Sequence, residues 1–240
     1  MQFTSEQRLD DGVLERAFTL GEVPGVLWTS GTGPAPLILS GHNGGLHKRN
    51  PRLVARARHY AAEYGYAVAA IDHPGHGDRP RSAADEQHRA DLRRAIQAGE
   101  PVDGIVDAFI VPLVDRAVPE WQATLDALLS LPEIAGPVGY SGMTAVGIRL
   151  AVVEPRISAA GFFAGGFVPR VLREEARQVT LPLQFLLQWD DEGNDRQQAL
   201  DLFDAFGSEE KTLHANLGGH AGTPWFEVDD GARFFARHLT

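Results

Sequence analysis

The feature that most constrains this chain is an alternation. Short apolar runs that stop at glycine or acidic turns are each followed by a segment with helical spacing. Pro36–Ser40 (PLILS), Tyr66–Asp72 (YAVAAID), Pro137–Tyr140, Ile157–Phe163, Leu183–Trp189 and Lys211–Asn216 read as strands. Helical segments follow them at 51–64, Glu120–Leu131, Gly142–Val153, Pro169–Arg177, Asp195–Phe206 and Glu227–Leu239. Antiparallel strands can be joined by a tight turn, whereas parallel strands need a crossover, usually a helix, so the alternation predicts a mostly parallel sheet with helices on its faces. Val13–Leu20 and Gly25–Ser30 add two strands at the entry edge.

The first helix is well punctuated. Asn50 caps it, Pro51 takes the first position and Gly65 ends it, while Leu53, Ala57, Ala61 and Tyr64 recur on one face. From Arg79 to Pro119 the rhythm breaks: a charged half is followed by an apolar half, Ile105–Val114, with Gly99–Gly104 as the joint. This reads as a lid-like helical insertion over the carboxyl edge of the sheet, within a single α/β domain spanning 1–240.

The formal net charge of -10 argues against a nucleic-acid surface, which needs clustered Lys and Arg. With no cysteine, disulfides, thiolate metal sites and a cysteine nucleophile are excluded. The start, MQFTSEQRLDDGVLERAFTL, lacks the basic-then-apolar pattern of a signal peptide, and no apolar run reaches membrane-spanning length. The expectation is a soluble, cytoplasmic protein with no nucleic-acid or membrane partner. Whether it pairs as a homodimer is left open.

The stretch Pro137-Val-Gly-Tyr-Ser-Gly-Met-Thr places Ser141 between a strand and a helix. A sharp turn there would lift the hydroxyl clear of the backbone, and the amide of Gly142 would face the oxygen on which negative charge develops. The second glycine of the usual G-x-S-x-G pattern stands one position early, in G-Y-S-G-M. The bland alternative is a helix-capping serine. After Leu183–Trp189 comes the acidic cluster Asp190, Asp191 and Glu192, and after Lys211–Asn216 comes Leu217-Gly-Gly-His220. Strand carboxyl ends gather at one edge, so Ser141, an acid and His220 can meet there as nucleophile, orienting carboxylate and base. Asp191 is the chosen acid, with Asp190 and Glu192 as alternatives; His214, inside a strand, competes less well than His220. The glycine-rich loop Ser40-Gly-His42-Asn43-Gly-Gly would supply a second oxyanion donor from the N–H of His42 or Asn43. Phe109 and Ile110 of the insertion, with Tyr140 and Met143 beside the serine, are the expected substrate-lining residues. No cofactor or metal is expected, although His73, His76 and Asp78 in DHPGHGD raise a metal hydrolase as a rival.

Taken together, PLILSGHNGG, AVAAIDHPGHGD, VGYSGM, LQWDDEGNDR and KTLHANLGGH resemble the α/β-hydrolase superfamily, and within it the small bacterial dienelactone-hydrolase-like esterases. The resemblance runs from about Gly25 to the end. It implies the α/β-hydrolase fold and a serine esterase acting on a small-molecule ester, lactone or thioester. Its nucleophile falls on Ser141, acid on Asp191, base on His220, and oxyanion loop on His42 and Asn43. It makes HPGHGD a structural turn. The scaffold also hosts lyases, cyclases and non-hydrolytic binding proteins, which form the alternative reading.

Overall fold

The computed structural model describes every residue except Thr32, Gly165 and Thr240. The strands are β1 (Gln2–Arg8), β2 (Leu14–Leu20), β3 (Val23–Thr29), β4 (Ala35–Ser40), β5 (Ala67–Ile71), β6 (Ile134–Gly142), β7 (Ile157–Phe163), β8 (Leu183–Gln188) and β9 (Lys211–Asn216). The helices are α1 (Pro51–Tyr64), α2 (Ala83–Ala98), α3 (Asp103–Leu129), α4 (Thr144–Val153), α5 (Arg170–Glu175), α6 (Arg196–Ala205) and α7 (Phe226–His238).

Among the described residues the nine strands join one sheet in the order β1-β2-β3-β5-β4-β6-β7-β8-β9. The pairs from β1 through β3 to β5 are antiparallel, and those from β5 through β4 to β9 are parallel. The order reverses at β4: the chain leaves it to one side for β5 and later returns on its other side as β6. In open parallel sheets this switch point leaves a crevice between diverging loops, and ligands bind there. The loop after β4 carries Gly41–Gly45, and Ser141 and Gly142 are the last two residues of β6 beside it.

Strand alternation divides the core between the two faces. Leu37 and Leu39 point to the side covered by α3, α4 and α6, while Ile38 points to the side covered by α1 and α7. Each such fully buried Leu or Ile contributes roughly 1.5–3 kcal/mol. Helix α1 starts and stops as its punctuation predicts. Asn50 accepts a hydrogen bond from the amide of Arg52, and Gly65 adopts the left-handed conformation at the end. Among the described residues no helix is long and apolar enough to cross a membrane.

Two elements differ from the sequence reading. β1 was not anticipated, because Gln2–Arg8 is an almost wholly exposed edge strand and shows no apolar alternation. In the insertion, Gly99 ends α2 as expected, but α3 then runs unbroken through Pro112 and Pro119 to Leu129, absorbing the helix predicted at Glu120–Leu131. Its apolar side packs into the core through Phe109, Ile110, Val114 and Trp121.

Candidate active site

At the end of β5, Asp72 is fully buried. It accepts hydrogen bonds from the amide and ammonium of Lys48 (2.8 and 2.7 Å) and from the amide of Asp78 (3.0 Å). Burial pushes its carboxyl up, but these donors outweigh it and hold the pKa below the usual value. Gly77 is left-handed, and any Cβ there would run into the Asp72 carboxylate. The HPGHGD turn is therefore built around a buried ion pair. Its side chains have protein partners: His76 bonds Pro74 and Arg89, His73 accepts from the Trp121 indole, and Asp78 pairs with Lys48. Among the described residues, only His214, Glu227 and Asp230 bring ligand atoms within 4.8 Å of one another. There His214 pairs with Glu227 at 2.8 Å and Asp230 with Arg233 at 2.7 Å.

His42 is packed beside this turn, with ring centroids 4.3 Å from His73. Its Nε2 accepts from the His73 amide, so Nδ1 carries the proton and donates to the carbonyl of Asn43. Burial, the dominant cause, lowers its pKa to about 4 and keeps the ring neutral. The ring is thus a strut for the glycine-rich loop, and the loop's residues His42 and Asn43 line the main cavity.

The acidic cluster after β8 separates into distinct jobs. Asp190 accepts from the amides of Gly218 and Gly219, both left-handed, and so shapes the loop that follows β9. Asp191 accepts from Nδ1–H of His220 at 2.7 Å, and also from the Gly193 amide and the Asn194 side chain. Its carboxylate is 3% exposed, whereas the His220 side chain is 53% exposed. Burial raises the Asp191 pKa, but the bonds from His220, Gly193 and Asn194 prevail and lower it. With Nδ1 donating to Asp191, the outward Nε2 of His220 is the acceptor. Among the three acids only Asp191 makes this bond; His214, by contrast, is bound to Gln184 and Glu227.

Ser141 and His220 both line a cavity of about 410 Å³, together with Asn43, Gly161 and the inner faces of α1 and α7. The local backbone at Ser141 departs from the expected turn. β6 continues through Gly142, so Ser141 is register partner of Ser40 on one side and Gly161 on the other, and α4 begins only at Thr144. Among the described residues no non-glycine has positive φ, so the sharp elbow expected at Ser141 is absent. Close packing of Gly142 on Gly41 holds the strand in register; a Cβ at Gly142 would collide with the Gly41 carbonyl. The serine hydroxyl faces α7. A Cβ on Gly161 would lie 3.5 Å from it and 3.7 Å from the Phe235 ring, so that glycine keeps the space before the hydroxyl open. No hydrogen bond joins Ser141 to His220.

The expected lining residues are not where sequence placed them. Tyr140, adjacent to Ser141, points to the opposite face by strand alternation and donates its hydroxyl to the Met143 carbonyl. Met143 is a core residue, as are Phe109 and Ile110, because unbroken α3 turns their side chains inward. None of the four lines the cavity. Its walls instead come from residues the sequence reading passed over, above all Arg52, Arg56 and Tyr60 of α1. A signal was present: Arg56 interrupts the apolar stripe of Leu53, Ala57 and Tyr60.

No protein-family model and no curated relative matches the chain. Solved structures do. A cold-adapted esterase from an Arctic intertidal metagenomic library is 30% identical over 100% of both chains, with a TM-score of 0.79. Est1E from Butyrivibrio proteoclasticus, solved with ferulic acid bound, shares 13% identity over 99% of both chains (TM-score 0.66). An acetyl xylan esterase from Paenibacillus sp. R4 shares 13% over 99% of this chain and 88% of its own (TM-score 0.70). The last two are alike in fold; the first is a relative over its whole length, and with it this protein belongs to the α/β-hydrolase esterases, as a carboxylic ester hydrolase.

Proposed function

We propose that the protein cleaves carboxylic esters with Ser141 as nucleophile, His220 as base and Asp191 as orienting carboxylate, through an acyl-enzyme. The observation that carries this reading is the convergence of Ser141 and the His220–Asp191 pair on one cavity at the carboxyl ends of the parallel strands. Ser141 Oγ bonds to the ester carbonyl carbon as its proton passes to His220 Nε2. The alkoxide then leaves with that proton, and a water activated by the same nitrogen releases the acid. Asp191 fixes the imidazole and offsets its positive charge. The amides of His42 or Asn43, together with that of Gly142, are the proposed oxyanion donors.

A second reading is favoured by one observation: the strand-to-helix junction falls at Met143–Thr144, which makes Thr144 the hydroxyl at the turn. Its Oγ1, however, donates to the Phe163 carbonyl at 2.7 Å, and it does not line the cavity with His220. Labelling with a fluorophosphonate and locating the adduct by peptide mass spectrometry separates the two. An adduct on Ser141, lost in Ser141→Ala along with turnover, is the expected result. An adduct on Thr144 moves the nucleophile, and folded protein that takes no label refutes both.

A further inference from the structure

The cavity behind Ser141 has an uncommon charge pattern. Arg56 is half-buried in its α1 wall, and its guanidinium donates to the Ser40 hydroxyl at 2.9 Å. Among the described residues no carboxylate pairs with it, whereas Arg79, for example, is held by Glu120 through two bonds of 2.6 and 2.8 Å. One turn along α1, Arg52 is also without an acid and donates to the carbonyls of Ala221 and Thr223. Arg56 is therefore a cation in a concave, partly desolvated site with no carboxylate paired to it among the described residues, an arrangement that a ligand's negative charge would stabilise.

A second group points the same way. Tyr60, 3% exposed, lines the same wall, and its hydroxyl has no hydrogen-bond partner among the described residues. It faces Gly231, where a Cβ would lie 2.6 Å from the hydroxyl oxygen, so the glycine leaves that donor room. Burial pushes the Tyr60 pKa up to about 12, so it stays a neutral donor. The one carboxylate in the lining, Glu227, is spent on His214 (2.8 Å) and Asn216 (2.6 Å).

We propose that Arg56 and Tyr60 form a carboxylate subsite, and that the preferred substrates are esters whose short acyl chain ends in a single carboxylate. This rests on Ser141 and His220 being the reacting pair. Ser40, the residue Arg56 touches, is the register partner of Ser141 on the neighbouring strand. Adjacent strands lie about 4.8 Å apart, so the guanidinium stands within roughly 8 Å of the nucleophile. At about 1.5 Å per bond, an acyl chain of about two to four methylenes spans that gap. The carboxylate belongs to the acyl side because His220, which protonates the leaving alkoxide, stands at the exposed rim; the alcohol departs outward and the acid lies inward along α1. One guanidinium and one neutral hydroxyl together match the two oxygens of one carboxylate.

Two measurements test this. In isothermal titration, wild-type protein should bind glutarate, and Arg56→Gln and Tyr60→Phe should weaken binding at least tenfold and several-fold, respectively. Arg56→Lys, which keeps the charge, should recover part of it. In steady-state assays, kcat/KM for p-nitrophenyl hemiglutarate relative to p-nitrophenyl valerate should exceed one and fall at least tenfold in Arg56→Gln, chiefly through KM. Absence of glutarate binding to wild type, tighter binding of inorganic phosphate, or an unchanged selectivity ratio in Arg56→Gln overturns the subsite. Failure to turn over either ester while glutarate still binds overturns the nucleophile assignment and leaves the subsite standing.

Discussion

Replacing Asp191 by asparagine keeps the shape of the acid and removes its charge. The wild-type carboxylate accepts three donors: His220 Nδ1–H, the Gly193 amide and the Asn194 side chain. An asparagine has one acceptor oxygen. The Gly193 amide cannot move without breaking the turn, so it retains that oxygen, and the new NH2 group is left facing His220. Donating to Nδ1, it would shift the imidazole proton to Nε2, the nitrogen that must accept from Ser141. In a triad, the wrong tautomer lowers kcat by about 10⁴-fold, equivalent to about 5.4 kcal/mol of transition-state stabilisation. Stability should change little, because His220 is largely exposed and the Gly193 bond survives. The assay is kcat for a p-nitrophenyl ester beside the thermal midpoint of the same preparation. A loss below tenfold with an unchanged midpoint would refute the role given to Asp191.

Lys48→Met leaves Asp72 buried with only its two backbone donors, and should destabilise the protein by about 3 kcal/mol in urea at neutral pH; a loss under 1 kcal/mol would contradict the buried-pair account. Because the folded pKa of Asp72 lies below 3.8, its contribution is complete above that value and is lost as pH falls through the folded pKa, so the effect of Lys48→Met should shrink in acid. Gly142→Ala forces a methyl onto the Gly41 carbonyl and should cost about 1–3 kcal/mol by overpacking, read by the denaturation midpoint. Arg52→Gln frees the backbone of the His220 loop and should lower kcat about 10- to 100-fold through misplacement of the base, with little change in the thermal midpoint. Recovery in Arg52→Lys would distinguish tethering from simple loss of fold.

The parallel half of the sheet was legible because each of its strands is an apolar run bounded by turn residues, and such runs need no tertiary information to be recognised. β1 was not, since an exposed edge strand is paid for by pairing with β2 and carries no burial pattern. That Asp191 and His220 could approach one another was legible from their positions after β8 and β9, and Asp191 was distinguishable from Asp190 only by contacts across 28 and 29 residues. The register at Ser141 escaped sequence reasoning because it depends on how far β6 stays paired with β4 and β7, which the Gly41–Gly142 contact decides. The cavity wall escaped for a similar reason: Arg52 reaches carbonyls 169 and 171 positions away. Phe109 and Ile110 were misplaced because an apolar pair in an insertion looks the same whether it faces a ligand or a core.

The loop bearing His220 is held almost wholly by polar ties: Asp190 to its two glycine amides, Gln188 to the Gly219 carbonyl, and Arg52 to the carbonyls of Ala221 and Thr223. Its largest apolar side chain, Leu217, is 70% exposed. Hydrogen bonds at a wet surface hold a segment by far less than a packed core does, so this loop should open at a small fraction of the global unfolding free energy. On warming or in mild denaturant, catalytic competence would therefore fail while the sheet beneath it remained intact, and the working range of the enzyme would be set by the melting of one short loop.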